Sequence, residues 1–120
     1  MEFDDGTKDI IGAYYEVYNV VGSGFLEKVY ENAMKVEFSS LGIGFGSQVP
    51  IEVCYKSKVV GDYVADFIVG NVVVEIKAKS NLNGVDEAQL LNYLRGTGKR
   101  VGLIFNFGGA KPEFKRLVFG

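Results

Sequence analysis

The sequence has no histidine, a single cysteine and only two prolines. Without histidine, Ser-His-Asp chemistry, imidazole general bases and most transition-metal sites are excluded. Zinc held by His and Cys goes with them. Catalysis by this chain has to rest on carboxylates, lysine, tyrosine and metals that prefer oxygen. The lone Cys54 rules out an internal disulfide and suits a reducing compartment, so a cytoplasmic location is expected. No apolar run approaches the roughly 20 residues that a membrane helix needs, and no membrane association is expected. Residues 1–5, Met-Glu-Phe-Asp-Asp, lack the basic and apolar regions of a signal peptide. Excess basic charge is missing too: 13 Lys and Arg stand against 15 Asp and Glu, a formal charge of −2. That is not the footprint of a strong stand-alone nucleic-acid binder. It still leaves room for a metal site that handles phosphates locally. A glycine-rich nucleotide fingerprint and a nucleophile–base pair are both lacking, which argues against a small-molecule enzyme.

What the chain does have is apolar residues enough for one core in 120 residues, read as a single domain over 1–120. Ile10, Ile11, Tyr14, Val17, Tyr18 and Val21 recur at helical spacing, with Thr7 as a candidate cap. Gly22-Ser23-Gly24 breaks that helix. A second follows with Leu26, Val29, Tyr30, Ala33, Met34 and Val36, Ser23 as its candidate cap, and an end near Leu41-Gly42. Strands are expected over Val49–Tyr55, with Pro50 near its beginning or on an edge, and over Val59–Val69, interrupted or bulged at Gly61. A third covers Val72–Ala78. The pattern then predicts a helix over Asp86–Arg95 stopped by Gly96 and Gly98, an apolar strand over Val101–Phe105, and a short last strand over Phe114–Phe119. The order is α-α-β-β-β-α-β-(β).

The chemistry gathers between Asp62 and Lys77. Gly70-Asn71 between two β-branched runs is a two-residue hairpin signal with Gly first. Cross-strand partners then have numbers summing to 141, which puts Asp66 opposite Glu75 with Cβ atoms roughly 5 Å apart. Lys77 shares the face of Glu75, because side chains alternate along a strand. Facing carboxylates repel, and Val, Ile, Phe and Ala surround them. Something positive has to hold them: Lys77 supplies one charge, and a divalent cation would supply two. Hard cations such as Mg²⁺ take oxygen ligands and commonly use one or two carboxylates. The plainer alternative is a surface hairpin whose carboxylates point to solvent. On the second helix Glu27, Tyr30 and Glu31 share a flank, with Glu27 in the first turn where the helix dipole favours a carboxylate. Gln89 and Tyr93 lie four apart on the later helix.

Together these residues resemble a known family. Gly24-x-x-Glu27-x-x-Tyr30 is similar to the motif of the GxxExxY proteins, within the PD-(D/E)XK nuclease-like superfamily. Asp66 followed by Glu75-Ile76-Lys77 resembles that superfamily's D…ExK signature, and Gln89-x-x-x-Tyr93 the QxxxY helix of some nuclease branches. The run from Gly96 to Gly108 is similar to the family's end segment. Ala65 stands where the superfamily's name has Pro, and Tyr18 where many members have His before the Gly motif. The resemblance covers about Ile10 to Val118. It implies an α/β fold (an α+β mixed sheet) with a restriction-endonuclease-like α-β-β-β-α-β core and an extra N-terminal helix.

The resemblance also implies roles. Asp66, Glu75, Lys77 and Glu27 would be catalytic. Asp66, Glu75, the Ile76 carbonyl and Glu27 would hold Mg²⁺ or Mn²⁺. Gln89, Tyr93 and Tyr30 would position substrate. The partner would be nucleic acid, DNA in the first instance, and a homodimer could assemble a basic groove from Lys56, Lys58, Lys99, Arg100, Lys115 and Arg116. The function expected is metal-dependent hydrolysis of phosphodiester bonds. The alternative is a catalytically silent nuclease-fold module that binds nucleic acid or protein.

Overall fold

In the computed structural model, which describes residues 6–120, helices α1 (Thr7–Val21) and α2 (Glu27–Ser40) precede strands β1 (Gly46–Tyr55), β2 (Lys58–Val69) and β3 (Val72–Lys77). Helix α3 (Gly84–Thr97), β4 (Val101–Asn106) and β5 (Glu113–Val118) complete the chain. The order is the one expected. The strands form one sheet, β1-β2-β3-β4-β5, in which only the β3–β4 pair is parallel. Parallel neighbours need a long crossover, and α3 is that crossover.

Helices lie on both faces. On one, Ile10, Tyr14 and Val17 of α1 and Tyr30, Met34 and Phe38 of α2 pack on Phe67, Val74, Ile76, Leu103 and Phe105. On the other, Leu90, Tyr93 and Leu94 of α3 pack on Ile51, Ala65, Val73 and Ile104. β3 and β4 are therefore buried on both sides, which is why they read as continuous apolar runs. Among the described residues no helix is long and apolar enough to cross a membrane.

The helix starts differ from expectation. Thr7 is the first residue of α1, behind Gly6 in left-handed conformation, rather than its cap. Ser23 does not cap α2 either. Leu26 occupies that position without a side-chain cap, and Glu27 is the first helical residue. Gly22 (φ 74°) and Gly24 (φ 114°) bend the intervening chain into a tight loop, so the helix has to wait for Glu27. α3 begins at Gly84, ahead of Asp86, because Asn83 and Asp86 make a reciprocal capping box. It runs on through Gly96 to the left-handed Gly98.

The hairpin signals hold. Gly70 has φ 57° and joins β2 to β3 in the register Phe67↔Val74, Ile68↔Val73, Val69↔Val72. β1, with Pro50, is an edge strand, and its register against β2 shifts by one beside Gly61. β1 and β2 pair over a much longer span than β2 and β3. Residues from about 49 to 65 thus form a two-stranded arm that leaves β3 and lies along α3.

At Gly108 main-chain atoms, which cannot give way as a side chain can, leave no space for a side chain. A Cβ on Gly108 would fall within the main chain of Lys79 and 2.6 Å from the Ala78 carbonyl carbon. A Cβ on Gly12, in the exposed middle of α1, would meet nothing. Gly108→Ala is expected to destabilise the fold by about 2 kcal/mol or more. Gly12→Ala should stabilise it by up to about 1 kcal/mol. Urea titration of the two variants separates the cases; equal midpoints would refute the packing argument.

Candidate active site

The site forms where β2 parts from β3. The ladder ends at Phe67↔Val74, and at the next position side chains take over from the main chain. The Asp66 N–H donates to Glu75 Oε2 at 2.8 Å, and the Ile76 N–H donates to Asp66 Oδ2 at 2.8 Å. Each carboxylate fills the place that a strand carbonyl would occupy. The two acids therefore lie together rather than on opposite sides of the sheet.

Asp66 is also where the alternation of β2 breaks. Ala65 packs with α3 and Phe67 with α1 and α2, although residues two apart in a regular strand share a face. On β1, Gln48 falls between the pairs Ser47↔Phe67 and Val49↔Ala65, so it stands across from Asp66, and its φ of 52° is unusual for a side-chain-bearing residue. Gln48 Nε2 donates to Glu31 Oε1 at 2.6 Å and to Asp66 Oδ1 at 3.3 Å. Gln48 and the buried Glu31 are the site residues that the candidate set missed. Glu31 was visible on the flank of Glu27. Gln48 could have been found by carrying the β1–β2 register back from the Lys56-Ser57 turn through the bulge.

The electrostatics are those of several acids around one amine. Burial pushes Glu75 up to about 8, and the charge of Asp66 adds to it, against the Asp66 N–H and Lys77. Asp66 is raised by burial, with Glu31 adding to it; the Ile76 N–H and the Gln48 amide oppose the rise. Glu27 is raised by burial and by Asp66, with Lys77 opposing. Lys77 is held in place by Gln89, whose Oε1 accepts its Nζ hydrogen bond at 2.9 Å. Lys79, two residues on, is engaged elsewhere, in an ion pair with Asp86 at 2.9 Å.

Each expected site residue can now be placed. Asp66, Glu75 and Lys77 converge, and Glu27 lies close enough for its charge to be felt by Glu75. Gln89 contacts Lys77, so it orients a protein amine. Tyr93, one turn along α3, is nearly buried and sits within the fields of Glu75 and Asp66, its ring 5.4 Å from that of Tyr63. Tyr30 is not at the site surface. Its ring is fully buried against Phe107 at 4.3 Å, and its hydroxyl donates to the Gly22 carbonyl and accepts from the Phe25 N–H. It braces the loop that launches Glu27, so any positioning of substrate by Tyr30 is indirect. Tyr18 likewise ties the Gly109 carbonyl at 2.7 Å.

Among the described residues no three Asp, Glu, His or Cys side chains are grouped closely enough to hold a metal ion by themselves. Glu27 therefore does not join Asp66 and Glu75 in a ready-made shell. The donor set nevertheless fits a hard cation. Its side-chain donors are all oxygen, from two carboxylates, and a divalent charge would offset the repulsion that burial magnifies. Ions such as Mg²⁺ bind through one or two carboxylates and keep several waters.

Comparison with known proteins gives the family and the fold. A family model described as the PD-(D/E)XK nuclease superfamily matches residues 4–117. Among solved structures, the chain is similar to one titled "Crystal structure of SSO0001", at 18% identity and a TM-score of 0.59, covering 76% of this chain and 48% of that one. The chain thus spans about half the length of that protein, and the likeness extends to the fold. No curated protein is significantly similar. The mixed sheet with helices on both faces is accordingly a restriction-endonuclease-like fold.

Proposed function

The chain belongs to the PD-(D/E)XK nuclease superfamily, and from that premise we propose that it is a metal-dependent nuclease acting on DNA. The observation that carries the proposal is the mutual capture of Asp66 and Glu75 at the parting of β2 and β3, with Lys77 beside them. Gly24-x-x-Glu27-x-x-Tyr30 supports a place among the GxxExxY proteins, since each motif residue has a use: Gly24 turns the chain, Tyr30 braces the loop, and Glu27 faces the acids.

Asp66 and Glu75, with the Ile76 carbonyl, would hold Mg²⁺ or Mn²⁺. Such an ion, when bound, polarises a phosphoryl oxygen and lowers the pKa of water. Lys77 stands next to the acids with its ammonium fixed by Gln89, and donates to the negative charge that develops on the phosphoryl group. Gln48 holds Asp66 and Glu31 to a common hydrogen-bond donor, which keeps Oδ1 of Asp66 oriented. Burial of Glu75 keeps bulk water from screening these charges.

Incubating plasmid and single-stranded DNA with Mg²⁺ or Mn²⁺ tests the proposal. Wild type should cleave, and Lys77→Ala should be slower by roughly 10²- to 10³-fold. If wild type cleaves neither DNA nor RNA with either ion, the nuclease reading is lost and a nuclease-fold binding module takes its place.

A further inference from the structure

The arm and α3 enclose a cleft of about 350 Å³ lined by Val53, Tyr63, Asn92, Arg95 and Gly96. That is within the range of roughly 300 to 1,000 Å³ that ligand pockets occupy. We propose that this cleft is a nucleotide subsite, in which Tyr63 stacks a base and Arg95 holds a phosphate of the strand being cut. The proposal rests on the nuclease reading and adds to it a place for the nucleotides beside the scissile bond.

Continuity with the carboxylates is the first argument. Gln89 holds Lys77, Tyr93 follows one turn later, and Arg95 lies about 9 Å from Gln89 along the helix at 1.5 Å per residue. That rise equals two or three stacked nucleotides at about 3.4 Å each, while the helix turns the two side chains about 120° apart, so the strand would follow the helix surface round to the cleft. Tyr93 bridges the two regions, near Glu75 and Asp66 on one side and in ring contact with Tyr63 on the other.

The second argument is unspent chemistry. Tyr63 is 40% exposed. Its hydroxyl, the Asn92 amide and the Arg95 guanidinium enter none of the hydrogen bonds or ion pairs found among the described residues, which include those of Gln89, Lys77 and Thr97 nearby. The lining holds a cation and no carboxylate, in a protein of net charge −2. An aromatic face accepts any base, and a guanidinium binds phosphate through paired donors. Arg95 in the last turn of α3 also favours the helix dipole, but that needs no cleft. The cleft is kept narrow by Gly96: a Cβ there would come within 2.8 Å of Ile51 Cγ2, so the arm approaches the helix as closely as it can.

The test is fluorescence anisotropy with a short labelled single-stranded DNA, Ca²⁺ replacing Mg²⁺, alongside hydrolysis of bis(p-nitrophenyl) phosphate by wild type with Mn²⁺. Tyr63→Ala and Arg95→Ala should each weaken binding roughly tenfold. Tyr63→Phe should bind as wild type does, and so should Lys8→Ala, which removes an exposed cation from α1. Affinities of Tyr63→Ala and Arg95→Ala equal to wild type, or an equal loss in Lys8→Ala and Arg95→Ala, would overturn the subsite. If Tyr63→Ala does not fold, Arg95→Ala against Lys8→Ala decides. Failure of wild type to cleave DNA and RNA as well as this phosphodiester overturns the nuclease reading instead, and the anisotropy series still decides whether the cleft takes a nucleotide.

Discussion

Glu75→Gln is expected to abolish cleavage while making the metal-free protein more stable above neutral pH. The activity loss should be at least about 10³-fold, because an amide at the centre of the donor set neither neutralises a divalent ion nor binds it well. The stability gain has a separate cause. In the folded protein the Glu75 carboxyl is pushed up to about 8, chiefly by burial and then by Asp66. In the unfolded chain it titrates near 4.5. The folded state therefore holds a proton that the unfolded state has released between these values. Stability falls as pH rises through that window, and the full penalty, a few kcal/mol, is present above pH 8. Glutamine cannot ionise, so the variant's melting temperature should be much flatter from pH 5 to 8.5 in the presence of chelator. Its amide oxygen can still accept from the Asp66 N–H, which preserves the local structure. Mn²⁺ should raise the melting temperature of wild type at pH 8 and do little for the variant. A variant within tenfold of wild-type activity would remove Glu75 from the chemistry. Parallel pH–melting curves would remove the buried-charge account.

Asn106→Leu is expected to cost on the order of 4 kcal/mol without touching any charge of the site. Asn106 ends β4 and is fully buried. Its Oδ1 accepts from the N–H groups of Lys79 (3.0 Å) and Gly108 (3.2 Å), and its Nδ2 donates to the Lys79 carbonyl (2.8 Å) and Glu113 Oε1 (3.2 Å). One side chain thus ties the segment after β3 to the loop after β4 and to β5. Leucine is similar in size but leaves these partners buried without bonds, each worth about 1–3 kcal/mol when orphaned. Denaturant unfolding checks the value; a loss below about 1 kcal/mol would mean that water replaces the amide and that the clamp is not structural. Because Lys77 lies two residues before Lys79, the same clamp sets where β3 ends.

Much of the candidate site was legible in advance because the hairpin signal is local. Gly70-Asn71 dictates a two-residue turn, the turn dictates the register as far as Phe67↔Val74, and side-chain hydrogen bonds then join Asp66 to the Glu75 region where that register ends. The helices were legible from their period, but their starts were not. A Ser or Thr near a helix start is an attractive cap only if the backbone reaches it, and the loop Gly22–Phe25 is shaped by Tyr30 from within the core. Tyr30 itself shows the limit of a motif: spacing placed it beside Glu27, but a helix residue three further on can turn into the core as easily as toward a ligand.

By itself the sequence determined the order of elements, the apolar run of β4, the absence of imidazole chemistry, and the neighbourhood of the two acids, since each follows from composition, period or a turn a few residues long. Only the tertiary structure decided that Gln48 bridges Asp66 to Glu31, that Gln89 acts on Lys77, and that the arm and α3 leave a cleft with an unspent arginine. These contacts join residues far apart in sequence. Their geometry depends on where β2 leaves β3 and how the arm lies on the helix, which long-range packing sets and no local pattern records.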